Sequence, residues 1–288
     1  MPSLASPGAV QSYSLVQATV RALYTQLLSR QMWESLAQAA DSDAVLTLLS
    51  DTLYAPYLDI DRTALSPRRT VYQIRWHLAD VYAKLIRTSP KSAQNVLREL
   101  WHHYEVDNIK VALRGVEAGA TWQQVLHLLY PMAGYITVGV DELEKMVRAG
   151  SVARAIDTLV GTDYHRYLSY ALGRYEEEGN LFPLEVALDL GYRRRLWAAI
   201  FGLRGLDRQM AMQTVGTALD TDNLLWAVRY RVYHRMSEAE IINYTLPMGY
   251  EVRDADIQAI ARGADIGSVI FRVYPHLSDE LQGLAFET

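Results

Sequence analysis

The chain has 288 residues, half of them hydrophobic, enough for one large domain or two ordinary ones with a sizeable core. Its net charge of −5, with acids and bases interspersed, argues against the basic footprint of nucleic-acid binding. It has no cysteine, which excludes disulfides, thiolate metal sites and cysteine nucleophiles.

Residues 1–13 are rich in Ser, Pro and Gly and read as a loose start without the features of a secretory signal. From Leu15 to Leu28, Val16, Val20, Leu23 and Leu27 recur at helical spacing. Gln31 to Ala39 and Asp43 to Leu49 read as short helices. Asp51 to Tyr57, with Pro56, breaks the pattern, and Asp59 to Arg69 reads as a loop with Pro67 near its end. Val71 to Arg87 is a helix with Ile74, Leu78, Val81 and Leu85 on one face. The next helix is long. Ser89 suits its N-cap and Pro90 its first position, where a missing N–H is harmless. Its apolar seam runs Leu97, Trp101, Tyr104, Asn108, Ala112, which places the Asn108 amide inward. Thr121 and Gln124 form a capping box for a shorter helix that Pro131 and Gly134 end.

Val140 to Ala149 and Val152 to Leu159 follow as short helices. Asp163 to Glu178 and Leu181 to Arg204 are longer, and Arg208 to Val215 shows no clear pattern. No convincing run of strand alternation occurs, so the expected fold is all-α. The longest apolar run, Leu196 to Leu203, is far short of the roughly 20 residues a membrane span needs. The 19 tyrosines, against 4 phenylalanines, suit the outer core between helices.

The pattern then returns. Asp107 and Asn108 match Asp222 and Asn223, 115 residues on. Asn223 again sits in a seam, four residues after Leu219 and four before Ala227. Thr121 and Gln124 match Ser237 and Glu240, a second capping box. Pro131, Gly134 and Tyr135 match Pro247, Gly249 and Tyr250. Met146, Ser151, Val152 and Ile156 match Ile260, Asp265, Ile266 and Ile270. A partial copy lies nearer the N-terminus: Leu46, Leu49, Thr52, Tyr54, Tyr57 and Leu58 match Ile156, Leu159, Thr162, Tyr164, Tyr167 and Leu168, all 110 residues on. Repetition at this period indicates a fold built by packing one helical unit against the next. The expected organisation is a loose segment, 1–13, then one helical domain, 14–288, of three units at about 14–88, 89–200 and 201–288.

No Gly-x-Ser-x-Gly elbow, phosphate loop, dinucleotide fingerprint or Asp-Asp-x-x-Asp cluster occurs, so the chain does not read as an enzyme. His103 and Asp107, with Glu99 a turn earlier, are too few for a metal site, and no metal or cofactor is expected. Asn108 and Asn223 are expected to hydrogen-bond neighbouring helix ends. Arg193, Arg194 and Arg195 form the densest basic cluster. Consecutive helical residues point apart, so these arginines make no single patch, but one or two are candidates for a partner contact.

Four stretches carry a family resemblance: LLSRQMWESLAQAADSDAVLTLLSDTLY (Leu27 to Tyr54), YEVDNIKVALRG (Tyr104 to Gly115), LVGTDYHRYLSYAL (Leu159 to Leu172) and LFPLEVALDLGYRRRL (Leu181 to Leu196). In order and spacing they resemble the C subunit of the V/A-type rotary ATPases, the counterpart of the eukaryotic d subunit. The resemblance implies an all-helical funnel of three pseudo-three-fold units. It implies a non-catalytic part of the central stalk that caps the cytoplasmic side of the membrane rotor ring of proteolipid subunits and receives the D and F shaft subunits. Rotation would then link ATP turnover to proton or sodium transport, with no nucleotide, small-molecule substrate, nucleic acid or membrane span of the chain's own. A cytosolic helical-repeat adaptor for a protein or peptide partner shares the packing and the lack of chemistry.

Overall fold

The structure is a computed structural model that describes residues 7–58, 66–246 and 249–275. Among these residues the regular structure is sixteen α-helices and one π-turn, with no strand. The contacts gather into two compact units, within Met1–Glu185 and Val186–Thr288.

In the first unit α1 (Pro7–Tyr24) begins well before the expected start, so residues 7–13 are helical rather than loose; residues 1–6 lie outside the described residues. Its half-buried stripe runs through Val16, Thr19 and Leu23, while Val20 and Leu27 face outward, contrary to the expected seam. Thr19 fits the stripe because its hydroxyl donates to the Leu15 carbonyl at 2.9 Å. Two short helices follow, α2 (Arg30–Ala37) and α3 (Ser42–Leu49), capped by Ser29 and Asp41. The expected break at Asp51 to Tyr57 holds a single turn, α4 (Ala55–Leu58). Pro67 opens α5 (Pro67–Thr88) instead of closing a loop, with Ser66 as the cap that accepts from the Arg69 amide. The rest of that expected loop, 59–65, lies outside the described residues.

The most buried face of α5 is Ala79 and Ile86, rotated from the expected Ile74–Leu85 stripe. The long helix α6 (Lys91–Glu117) dictates this. It presents Trp101, which packs with Ala79 and Ile86, and Tyr82 lies 4.8 Å from the indole between ring centroids. A bulky ring needs a small residue opposite, and Ala79 leaves that space. Ile74 packs instead on the satellite cluster of Leu46, Leu49 and Leu58. The junction between α5 and α6 falls one residue later than expected: Ser89 ends α5 and Pro90 is the N-cap of α6.

From Trp101 to Gly115, α6 is buried on most of its circumference, so a mean amphipathic pattern is nearly absent there. Against it lie α7 (Trp122–Leu126), α8 (Val140–Arg148) and α9 (Val152–Asp157). The helix α10 (Asp163–Glu178) ends on Gly179 in the left-handed conformation, and α11 (Phe182–Phe201) carries the chain onward.

In the second unit the stretch without clear pattern is helical: α12 (Gly205–Ala211) runs through a π-turn, Met212–Gly216, into α13 (Thr217–Val232). Then come α14 (Glu238–Asn243), α15 (Asp254–Ala261), which lies along α13, and α16 (Ile266–Val273). The order long helix, short capped helix, proline loop, two short helices thus occurs in each unit.

Candidate functional site

The two inward asparagines do one job in two places. Asn108, buried on α6, accepts from the Tyr130 amide at 2.7 Å and donates to the Tyr130 carbonyl at 2.8 Å. Asn223, buried on α13, accepts from the Leu246 amide at 2.9 Å and donates to the Leu246 carbonyl at 3.0 Å. Tyr130 and Leu246 each precede a proline, and such a residue is pushed out of helical conformation. Its amide and carbonyl must then find partners outside any helix. A carboxamide offers a donor and an acceptor side by side, which fits both groups of one residue. Pro131 is buried behind the first clamp; Pro247 lies outside the described residues.

One helical turn earlier on each long helix sits a buried carboxylate. On α6, Glu105 Oε1 accepts from the amides of Thr137 and Val138, both at 2.5 Å, and Oε2 accepts from the Tyr164 hydroxyl at 2.5 Å. On α13, Asp220 accepts from the amides of Tyr250 at 2.8 Å, Glu251 at 2.6 Å and Val252 at 3.0 Å. The Tyr274 hydroxyl is 3.4 Å from Asp220 Oδ2. Burial, and then Asp220 itself, push that phenol above its usual range. Each carboxylate therefore ties down the loop that its neighbouring asparagine has started, just before the next helix begins.

The loops need glycine for two different reasons. Gly134 has φ +62 with open space around it, so conformation alone demands glycine. Any side chain on Gly249 would strike Asp220 Oδ1 and the Val252 carbonyl. The capping boxes lead into these loops. In the second, Glu240 accepts from the Ser237 amide at 2.9 Å and the Ser237 hydroxyl accepts from the Glu240 amide at 3.4 Å. In the first, Gln124 accepts from the Thr121 amide at 2.8 Å, but the Thr121 hydroxyl turns to the same Gln124 oxygen at 3.0 Å. Arg75 braces the first arrangement, and Arg231 the end of α15. Arg75 donates to the carbonyls of Leu128 and Leu129, and Arg231 to those of Ile260 and Ala264.

The three consecutive arginines separate as helical geometry requires. Arg193 is buried, 2.9 Å from Asp222 and stacked 3.8 Å over the Trp226 ring. Arg194 is exposed and Arg195 half-buried. His103 lies 3.6 Å from Asp107, and His102 bridges Glu99 and the Tyr135 carbonyl. Among the described residues no group of three or more His, Asp or Glu converges to hold a metal, and no helix is long and apolar enough to cross a membrane. A cavity of about 200 Å³ beside Asn108 is lined by Tyr72, Trp76, Pro131, Val138 and Leu143 among others.

Sequence reasoning located the asparagines and caps but missed Glu105, Asp220, Tyr164, Tyr274 and Arg75 as parts of the clamps. The signal for the first two was present: both stand three residues before the matched asparagine, 115 residues apart, on the inward side.

The chain matches the family model for the ATP synthase (C/AC39) subunit over residues 16–283. It is 26% identical to the A-type ATP synthase C subunit of Methanocaldococcus jannaschii over 259 residues, covering 90% of this chain and 64% of that protein. The same identity holds over 260 residues with the C subunit of Methanothermobacter thermautotrophicus, again covering 90% and 64%. With that of Methanobrevibacter smithii it is 29% over 192 residues, covering 67% and 49%. The chain thus spans about half to two thirds of the length of these relatives. With a family match running from α1 past α16, across the long helices and both clamps, the chain belongs to the ATP synthase (C/AC39) subunit family.

Proposed function

We propose that the chain is a non-catalytic central-stalk subunit of a V/A-type rotary ATPase. It caps the membrane rotor ring of proteolipid subunits and couples it to the D and F shaft subunits, so that rotation links ATP turnover to proton or sodium transport. It sits on the cytoplasmic side and meets the membrane only through the complex. Its helices form one funnel-like domain over 14–288, with repeat units at about 14–88, 89–200 and 201–288. On this reading the boundary near residue 185 falls inside the second repeat unit, within α11.

The observation that carries the reading is the family match over 16–283, on a chain whose regular structure is helical throughout the described residues. The clamps support it physically. A part that transmits torque must not let its helices slide, and side-chain bonds from long helices into the connecting loops resist that motion. Arg194, the exposed member of the arginine triplet, is the candidate for contact with a partner, where complementary charge would speed docking.

The test is affinity purification of the tagged chain from native membranes in mild detergent. Ring proteolipid and shaft proteins in the eluate, lost on dissociating the ATPase, are expected. Recovery of the chain without either, from membranes that hold an intact ATPase, would overturn the proposal.

A further inference from the structure

The two units build the same seat beside their clamps, and only the first leaves it open. Leu129, Tyr130, Val140 and Leu143 line the cavity of about 200 Å³ at the first clamp. Their counterparts, Thr245, Leu246, Asp254 and Ile257, line a hollow of only about 40 Å³ at the second. The register is the one the clamps set, 116 residues up to the proline and 114 beyond the loop.

Three features distinguish the first seat. One wall is aromatic: Tyr72 and Trp76 stand one helical turn apart on α5. Trp76 and Met132 also pack on the Trp101 cluster, so this side of the cavity is held from behind.

The rim is apolar where that of the second seat is polar. Val140 opens α8 and is 49% exposed, while Asp254 holds the same first position of α15. An acid there interacts favourably with the helix N-terminus and with water. A valine with half its surface in solvent gains neither. Ile136 lines the cavity and is also exposed, and Leu129 takes the place of Thr245.

The third feature is a hydroxyl. That of Tyr72 makes no hydrogen bond among the described residues, and burial pushes the phenol above its usual range. The ring meets His127 edge-on, 5.9 Å between centroids. Polar groups drawn into a fold are normally paired. Asn108 is already engaged with both backbone groups of Tyr130.

We infer that this cavity is a binding site for a small neutral ring compound, aromatic or alicyclic, that carries one oxygen to pair with the Tyr72 hydroxyl. Volume sets the size. An apolar cavity of about 150 Å³ accepts benzene, so about 200 Å³ admits a ring with a short substituent. The walls set the polarity. No charged side chain lines the cavity, so an ion would lose its hydration without a partner. A bound ring would lie against Tyr130 and Pro131, the segment that Asn108 holds, and would stiffen the first clamp loop while leaving the second untouched. The inference does not depend on the rotary assignment.

The probes are 4-methylphenol and toluene, which differ only in the hydroxyl, titrated into the full chain by ligand-observed NMR. Both should bind saturably, 4-methylphenol the more tightly, and both should slow hydrogen exchange at 129–140 but not at 250–254. Val140→Asp copies the second unit and should weaken both probes by about tenfold. The position is exposed at a helix start, so the melting temperature should hold. Tyr72→Phe should weaken 4-methylphenol by roughly fivefold and leave toluene unchanged, and it decides the matter if Val140→Asp fails to fold. No saturable binding, protection at some other segment, or equal affinity in a folded Val140→Asp would overturn the inference. So would a Tyr72→Phe variant that weakens both probes alike or neither.

Discussion

The clamps of the two units perform one task with carboxylates of different length, and the difference shows where each loop had to adapt. Glu105 reaches out to its loop, takes two amides with one oxygen and has the other left for Tyr164. Asp220 is one methylene shorter, so its loop comes to it, folds three amides around it and leaves Tyr274 at the edge of bonding distance. The shorter arm thus shifts the burden onto the backbone: Gly249 has no room for a side chain, whereas Gly134 has room but an unusual φ. What the two units share is the set of satisfied backbone groups, and the identity of the acid is secondary to it.

The largest effect should come from deleting the acids. Glu105→Leu leaves two amides and a hydroxyl without an acceptor, and Asp220→Leu leaves three amides. Each unmade buried bond costs about 1–3 kcal/mol, so each variant should lose roughly 3–5 kcal/mol in urea unfolding, with Asp220→Leu the worse. Hydrogen exchange should rise first at 137–138 in one and at 250–252 in the other. Equal exchange in both loops for both variants would break the comparison.

Next come the asparagines. Asn108→Leu and Asn223→Leu each strand one amide and one carbonyl, at about 2–4 kcal/mol. An unchanged melting temperature for either would mean that water replaces the carboxamide. The glycines sharpen the contrast: Gly134→Ala should cost about 1 kcal/mol for its backbone strain, and Gly249→Ala at least twice that for its collision with Asp220. Equal losses would show that the second loop simply moves aside.

The smallest effect is alkaline. Burial, and then the 2.6 Å hydrogen bond to Asp80, push the Tyr57 phenol from 10 up to about 12. The folded state therefore holds this proton more tightly than the unfolded chain. Its contribution is complete below pH 10 and is lost as pH rises from 10 towards 12. Tyr57→Phe should flatten that part of the stability profile, and an unaltered slope would assign the loss to other groups.

The helical class was legible because caps, breakers and apolar spacing agree along most of the chain. The asparagines were legible because an amide in an apolar seam is conspicuous, and more so when it returns 115 residues later. Glu105 and Asp220 were passed over although they recur at the same 115-residue spacing, because an acid on a long helix looks like a solvated residue until that recurrence is counted. The buried face of α5 was misjudged by counting large aliphatics, when the deciding residue was Ala79, small enough to admit a tryptophan. Arg193 gave no clue either, since Asp222 stands 29 residues away on another helix.

The π-turn at Met212–Gly216 has a mechanical consequence. Each residue added to or removed from a helix swings everything beyond it by about 100° in azimuth. The wide turn sits just before Asp220 and Asn223, so it sets the phase at which both reach their loop. Removing a single residue there would leave composition and helix content almost untouched, yet would aim the acid and the amide a quarter-turn astray, like a key cut correctly but inserted at the wrong angle.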